Sequence, residues 1–284
     1  MQVGYRLEQL KQHAYQTLQH CAFVENPKLE AELLLMHVLQ QPRAYLYTWP
    51  EQRLDDEQVV QFRELCRQRL GGTPLAYLLG EREFWGLNLQ VTPATLIPRA
   101  DTETLVETAL QRAATIASPK IADLGTGSGA IALALKFERP DAQITAVDLS
   151  ASALEVARAN SERLGLSIHF KQGSWCEPLA AMCFDLIVSN PPYIAEQDPH
   201  LDQGDLPFEP ISALTSGADG LDAIRILHQQ AWAHLNPNGW LILEHGYNQG
   251  PAVRALLQQR GYQAVETCCD YAGQERVTLG QKPV

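Results

Sequence analysis

The tetrapeptide Asn190-Pro191-Pro192-Tyr193 follows the apolar run Phe184 to Val188 and combines a planar amide, a rigid turn and an aromatic ring. Asn190 offers a side-chain carbonyl. Pro191 has no N–H but presents a backbone carbonyl held stiffly by the next proline. Two such acceptors can grip one NH2 group, and Tyr193 adds a flat face on which a planar amide or a base can lie. The chemistry this suits is the holding and activation of an acceptor nitrogen. By itself an N-P-P turn can also simply stop a strand.

A second motif lies upstream, where Ile121-Ala122-Asp123-Leu124 runs into Gly125-Thr126-Gly127-Ser128-Gly129 and then into the helical stretch Ala130 to Lys136. This reads as strand, tight glycine turn and helix, with glycines admitting positive φ and close approach of a ligand to the backbone. A further apolar strand, Ile144 to Val147, ends in Asp148, about 20 residues beyond the glycines, where a carboxylate can accept from both hydroxyls of a ribose. The pattern fits binders of dinucleotides and of S-adenosylmethionine alike, and Ala130 in the sixth position does not separate them. The downstream N-P-P-Y does, because hydride transfer has no use for it. Asp123 is expected to orient the glycine loop or a methionine amino group, or to act as a plain loop cap.

The elements that must position these residues follow from the pattern of the chain. Residues 1–72 read as a small helical domain: Leu29, Leu33, Leu34, Met36 and Val38 keep helical spacing between Pro27 and Pro42, and Asp55 precedes a second run from Val59 to Leu70. Its functional reading is recognition of a macromolecular substrate, its bland one a stabilising cap. Residues 73–100 change character, and Phe84-Trp85-Gly86 with alternating Leu87, Leu89 and Val91 predicts a β-hairpin connector. From residue 101 to 284 strands and helices alternate. Strands are expected at 121–124, 144–148, 167–171, 184–189, 240–244, 262–269 and 274–280, with helices at 130–138, 151–164, 219–235 and 248–260. Such alternation predicts a doubly wound, mostly parallel seven-stranded Rossmann-like sheet, with ligands bound beyond the carboxyl ends of its strands. Gly125, Asp148 and Asn190 all fall at such ends.

Composition narrows the class. A chain of 284 residues holds one large and one small domain. No window approaches 18 uninterrupted apolar residues, and Met1 to Leu10 has neither a basic nor an apolar leader region, so a cytoplasmic protein is expected. Cys21, Cys66, Cys176, Cys183, Cys268 and Cys269 include no C-x-x-C pair and no His/Cys array at ligand spacing, which predicts reduced thiols and no metal. Cys268 and Cys269 should point to opposite faces of a strand, one of them into the core. A formal net charge of −11 opposes direct binding of nucleic acid. Arg63, Arg67, Arg69 and Arg82 form a locally basic stretch, readable as a contact patch or as a solvated helix face. Glu244-His245, after an apolar strand, reads as an acid/base pair or as ordinary strand-end polarity.

Taken together, these residues resemble the N5-glutamine methyltransferases that modify peptide-chain release factors, the HemK or PrmC family, over essentially the whole chain. The likeness rests on Asp123 to Gly129 and Asn190 to Tyr193, and also on Gly80-Glu81-Arg82-Glu83-Phe84-Trp85-Gly86, Ile97-Pro98-Arg99 through Glu103, Phe208-Glu209-Pro210 and Ala213-Leu214. Ala100 stands where the family usually has a second proline, and Ser128 where it commonly has threonine, which keeps the hydroxyl. The resemblance implies transfer of methyl from S-adenosylmethionine to the side-chain amide of the glutamine in the G-G-Q loop of a release factor, leaving S-adenosylhomocysteine. Carried over by position, Gly125, Thr126, Gly127, Ser128, Gly129 and Asp148 would hold the cofactor. Trp175 would lie by the adenine, and Asn190 would touch cofactor and substrate. Pro191, Pro192 and Tyr193 would complete the substrate site, with Asn190 and Pro191 as the catalytic pair. Arg99 and Glu103 would shape a lid, or form a local ion pair at a helix start.

The chemistry also follows from the residues. An amide nitrogen is a poor nucleophile, and acceptors that strengthen their hydrogen bonds as positive charge develops on it favour the transition state. No strong base is required, because the N-methylated amide cation sheds its proton readily. Three rivals share features of this pattern: a ribosomal-protein glutamine methyltransferase, an adenine-N6 DNA methyltransferase acting on a flipped base, and a cofactor-binding interaction protein without turnover.

Overall fold

The computed structural model describes residues 5–21 and 23–284. They form two compact units, one of the described residues up to Gly80 with Pro199–Phe208, the other of Glu81–Asp198 with Glu209–Val284.

The first unit is built from helices α1 (Leu7–Leu18), α2 (Pro27–Leu39), α3 (Arg43–Thr48), α4 (Asp56–Leu70) and α5 (Leu75–Leu79). The start of α2 is fixed by Asn26, whose side chain accepts from Leu29 N at 3.1 Å, and by Pro27, whose missing N–H costs nothing in the first turn. α4 opens with a reciprocal box: Asp55 accepts from Gln58 N at 2.8 Å and Gln58 Oε1 accepts from Asp55 N at 3.1 Å. Leu7, Leu34, Leu35, Leu46 and Phe62 meet in a common core. Arg69 belongs neither to a contact patch nor to a solvated face; it is 3 % exposed, donates to Glu30 at 2.6 Å and reaches Asp205 at 3.8 Å. A buried guanidinium with a carboxylate partner ties α4 to α2 and to the returning 199–208 segment. Arg63 lies over the Tyr5 ring and Arg67 pairs with Glu64, so neither is a bare charge.

The second unit begins with an antiparallel hairpin, β1 (Glu81–Phe84) and β2 (Leu87–Gln90), turning at Trp85-Gly86. Then follow α6 (Glu103–Ala113), β3 (Lys120–Leu124), α7 (Ala130–Glu138), β4 (Gln143–Asp148), α8 (Ala151–Leu164), β5 (His169–Gln172) and β6 (Phe184–Ser189). α9 (Asp222–His234), β7 (Leu235–Glu244), α10 (Gly250–Arg260), β8 (Gln263–Cys269) and β9 (Glu275–Gln281) complete it. The sheet has seven strands in the order β5-β4-β3-β6-β7-β9-β8, all parallel except β9, which runs antiparallel to both its neighbours. Alternate residues of the central strands serve opposite faces. Ile121, Leu186 and Ile242 pack with α6, α7 and the hairpin, while Ala122, Ile187, Leu241 and Leu243 pack with α9 and α10.

This is the doubly wound, mostly parallel architecture the alternation predicts. β7 starts five residues earlier than the sequence pattern indicates. Leu235 pairs with Phe184, and the turn-forming Asn236-Pro237-Asn238-Gly239 is carried as an irregularity before Trp240 pairs with Leu186. Cys268 packs against the core and Cys269 is exposed, matching the alternation expected of them. Among the described residues no helix is long and apolar enough to cross a membrane.

Candidate active site

The order of the strands reverses between β3 and β6, so the loops beyond β3, β4 and β6 open onto one crevice. The β3 loop is pinned by Gly125 N and Thr126 N, which both donate to Val147 O, at 2.8 and 3.0 Å. Gly127 sits at φ 57° with open space where a Cβ would stand, and a ligand can approach its backbone there. Asp148 closes the arrangement: Oδ2 accepts from Gly127 N at 2.8 Å and Oδ1 from Ser150 N at 2.9 Å. Each carboxylate oxygen keeps a lone pair for an outside donor. Ser128 is buried, and its carbonyl accepts from Asn160 Nδ2 at 3.0 Å; Asn160 also clasps Gln90, which anchors the hairpin to the glycine loop.

These residues wall a cleft of about 460 Å³, within the usual size range of small-molecule sites. Gly125, Gly127, Asp148, Trp175, Asn190 and Pro192 line it, joined by Pro93 to Leu96 and by Pro210, Ser212 and Ala213. Trp175 holds a left-handed backbone, φ 47°, and its ring packs over Gly125. Strain of this kind in a bulky residue is characteristic of a functional position. A smaller recess of about 50 Å³ adjoins the cleft at Gly125, Gly127 and Asn190 and is lined also by Arg99 and Thr102.

A PrmC N-terminal domain profile matches residues 9–80, and a methyltransferase small domain profile matches residues 100–205. A protein named release factor glutamine methyltransferase from Xylella fastidiosa is 55 % identical over 90 % of this chain and 94 % of its own length. One of the same name from Vibrio cholerae is 53 % identical over 90 % of each chain. The chain belongs to the release factor glutamine methyltransferase family. Its fold is shared with a 16S rRNA N2 G1207 methyltransferase from T. thermophilus, at 20 % identity and a TM-score of 0.55 over 71 % of this chain and 49 % of that one.

Within this release factor glutamine methyltransferase family member, several expected site residues take places the sequence does not reveal. Asp123 is fully buried; its Oδ2 accepts from Thr126 Oγ1 at 2.6 Å, so it holds the glycine loop, while Oδ1 has no hydrogen-bond partner among the described residues. Arg99 pairs with Glu209, which also accepts from Ile97 N at 3.0 Å. Glu103 accepts from Trp85 N at 3.0 Å and supports the hairpin turn. The two therefore make no ion pair with each other. Pro191 is buried and, unlike Asn190 and Pro192, is not among the residues lining the cleft. Tyr193 is not part of the cleft wall: its hydroxyl lies 3.5 Å from Glu244 Oε1 and its carbonyl accepts from Gln249 Nε2 at 2.9 Å. Glu244 and His245 do not form a pair, since His245 turns to the other face, where Nε2 meets Thr278 Oγ1 at 2.7 Å.

The sequence pattern gave no role to Leu149, offered Glu244 only as a partner of His245, and held Thr102 only as part of the segment from Ile97 to Glu103. Leu149, directly after Asp148, is 70 % exposed and lines the cleft, an apolar side chain next to that carboxylate in the chain. Its signal was present in the sequence, as an apolar residue between Asp148 and the Ser150 cap of α8.

Burial pushes the carboxyls of both Asp123 and Glu244 up to about 7. A carboxyl raised on folding stabilises the fold fully below its unfolded value, and that contribution is lost as pH rises through its folded value. Asp123→Asn keeps the acceptor for Thr126 and removes the titration. Between pH 4 and 8, wild type should therefore lose stability relative to Asp123→Asn, on the order of 4 kcal/mol. Urea unfolding of both proteins at the two pH values, without cofactor, measures the difference; a pH-independent difference would mean that Asp123 titrates normally. Cys66 and Cys176 are free thiols pushed up to about 12 by burial, which makes them poor nucleophiles at neutral pH.

Proposed function

We infer that this protein transfers the methyl group of S-adenosylmethionine to the side-chain amide nitrogen of the glutamine in the G-G-Q loop of peptide-chain release factors. The observation that carries the reading is Asn190, which lines the cleft: its NH2 edge is tied to Thr102 Oγ1 at 3.2 Å, which leaves the carbonyl edge as an acceptor. The names of the close relatives in Xylella and Vibrio support the substrate.

The residues present fit the cofactor. A glycine turn open to backbone approach, a carboxylate with spare lone pairs, an exposed leucine and a strained tryptophan line one cleft of adequate size. Asp148 would accept from ribose hydroxyls, Leu149 and Trp175 would enclose the adenine, and Gly125 to Gly129 would cradle the remainder. When bound, the cofactor supplies a methyl group on a positively charged sulfur. Asn190 Oδ1 and the Pro191 carbonyl would accept the two N–H bonds of the glutamine amide and aim its nitrogen at that methyl. Attack forms the N–C bond as the S–C bond breaks, and the nitrogen then releases a proton to water. Acceptors already in place lower the barrier, because their hydrogen bonds strengthen as the nitrogen becomes positive.

Methyl-labelled S-adenosylmethionine, the protein and an unmodified release factor should give labelled factor, and the same factor with its G-G-Q glutamine replaced by alanine should give none. Equal label in both would move the acceptor to another residue.

The helical unit is proposed to recognise the protein substrate. Tyr47 and Trp49, at the end of α3, are 51 % and 57 % exposed; Tyr47 is held by its hydroxyl on Glu32, and Trp49 is of the residue type most enriched among interface hot spots. Trp49→Ala should raise KM for the release factor about tenfold while leaving the cofactor Kd unchanged. An unchanged KM would exclude Trp49 from the contact.

A further inference from the structure

Glu244 ends β7 and is 1 % exposed, yet it carries a carboxylate whose Oε2 has no hydrogen-bond partner among the described residues. Burying such a group is costly unless it organises its surroundings. Two hydroxyls face it. The Tyr193 hydroxyl lies 3.5 Å from Oε1, and the Thr102 hydroxyl also interacts with the carboxylate and helps to hold its charge. Thr102 Oγ1 in turn accepts from Asn190 Nδ2 at 3.2 Å.

The consequence lies in the count of protons. An ionised carboxylate only accepts, so the hydroxyls that face it must donate. Thr102 has a single hydroxyl proton, and once that proton points at Glu244 only lone pairs remain for Asn190. The NH2 edge of the Asn190 amide is then the sole edge that can face Thr102, and Oδ1 is forced to the other side. Without the carboxylate, the Thr102 proton is free to turn to Oδ1, and the amide can sit with its edges exchanged. The NH2 group of Asn190 would then meet the NH2 group of the substrate, donor against donor.

We propose that Glu244 is a positioning residue for methyl transfer, acting through Thr102 to fix which edge of the Asn190 amide faces the acceptor nitrogen. This rests on the role given to Asn190 under Proposed function and adds to it a residue on a different strand that touches neither substrate nor cofactor. The groups around Glu244 make its protonation responsive to pH. Besides Thr102 and Tyr193, Arg276 on β9 favours its ionised form and Asp101 opposes it, and burial outweighs both, raising the carboxyl to about 7. A protonated Glu244 can donate to Thr102 and relax the constraint. The wild-type rate should therefore decline on the acid side of pH 7 and level off.

The test measures labelled methyl transfer to an unmodified release factor and to its G-G-Q alanine form, with cofactor Kd and thermal stability measured on the same preparations. Glu244→Leu should lower kcat about 10- to 100-fold, with cofactor Kd unchanged and stability retained or increased, since a buried charge has been removed. Glu244→Gln should also be slower than wild type and should lose the acid limb of the pH profile. Thr102→Ser keeps the hydroxyl and should stay within about twofold of wild type, whereas Thr102→Val should fall with Glu244→Leu. Wild-type kcat in a stably folded Glu244→Leu, or in Thr102→Val, overturns the positioning role while leaving the methyltransferase reading intact. Failure of wild type itself to label the intact factor overturns that reading and the inference resting on it.

Discussion

Asn190→Ala is expected to lower kcat for release-factor methylation by two to three orders of magnitude, roughly the cost of removing one preorganised hydrogen-bond partner of a developing charge. The residue lines the cleft, half-buried, with its NH2 edge fixed on Thr102. Its removal takes away the acceptor that strengthens as the amide nitrogen becomes positive, while the Pro191 carbonyl stays in place. The fold should persist, because among the described residues the only side-chain hydrogen-bond partner lost is one hydroxyl on a short 3-10 turn, Ala100–Thr102. Asn190→Asp is the sharper form of the test. It keeps an acceptor and adds a charge, and its two equivalent oxygens leave Thr102 with two protons' worth of demand and no donor in return. Single-turnover rates with saturating cofactor distinguish lost chemistry from lost binding. A variant that binds cofactor normally and turns over within a few-fold of wild type would remove Asn190 from the mechanism.

Much of this arrangement was legible in the sequence, for a physical reason. Gly125 to Gly129, Asp148 and Asn190 each sit at the carboxyl end of an apolar run, and in a parallel sheet such ends share one edge. Periodicity alone therefore brought three distant motifs together. What it could not supply was the partner of each buried polar group. Tyr193 reads in sequence as a stacking face, but its role is decided by a carboxylate on a strand two positions away in the sheet from β3. Arg69 reads as a surface charge because its spacing is helical; its burial depends on Glu30 and Asp205, which are far from it along the chain. Arg99 and Glu103 are close enough in sequence to pair, and each instead serves a remote segment, Glu209 for one and Trp85 for the other. Local pattern fixes which face a residue takes; hydrogen-bond partners across the fold are set by tertiary packing.

Gly220→Ala is expected to be as damaging to activity as a change inside the cleft, although Gly220 lies in the loop before α9. It holds φ 75°, and a Cβ placed there would stand 2.1 Å from the Tyr193 carbonyl oxygen and 2.8 Å from Gln249 Nε2. Neither can yield cheaply. Gln249 Nε2 donates to that same carbonyl at 2.9 Å, its Oε1 accepts from Gly246 N at 2.8 Å, and the next residue along, Ile194, is clamped by Leu214 O and Ser216 N at 2.9 Å each. The Asn190 to Tyr193 turn is thus held from behind by backbone that passes too close for any side chain. A methyl group at Gly220 must push the Tyr193 peptide forward, toward the end of the turn that presents Asn190 and Pro192 to the cleft. Left-handed backbone strain adds to the clash, and together they should cost about 2–4 kcal/mol of stability. A shift of the order of 1 Å in the acceptors should lower kcat about a hundredfold. Thermal unfolding and turnover, measured together with cofactor Kd, separate the two effects. Cofactor affinity should change little, because Gly125 to Gly129 and Asp148 are carried by β3 and β4, while the clash at Gly220 falls on Tyr193 and Gln249. A variant with normal turnover would mean that the turn tolerates displacement and that its geometry is set by the cofactor rather than by the loop behind it.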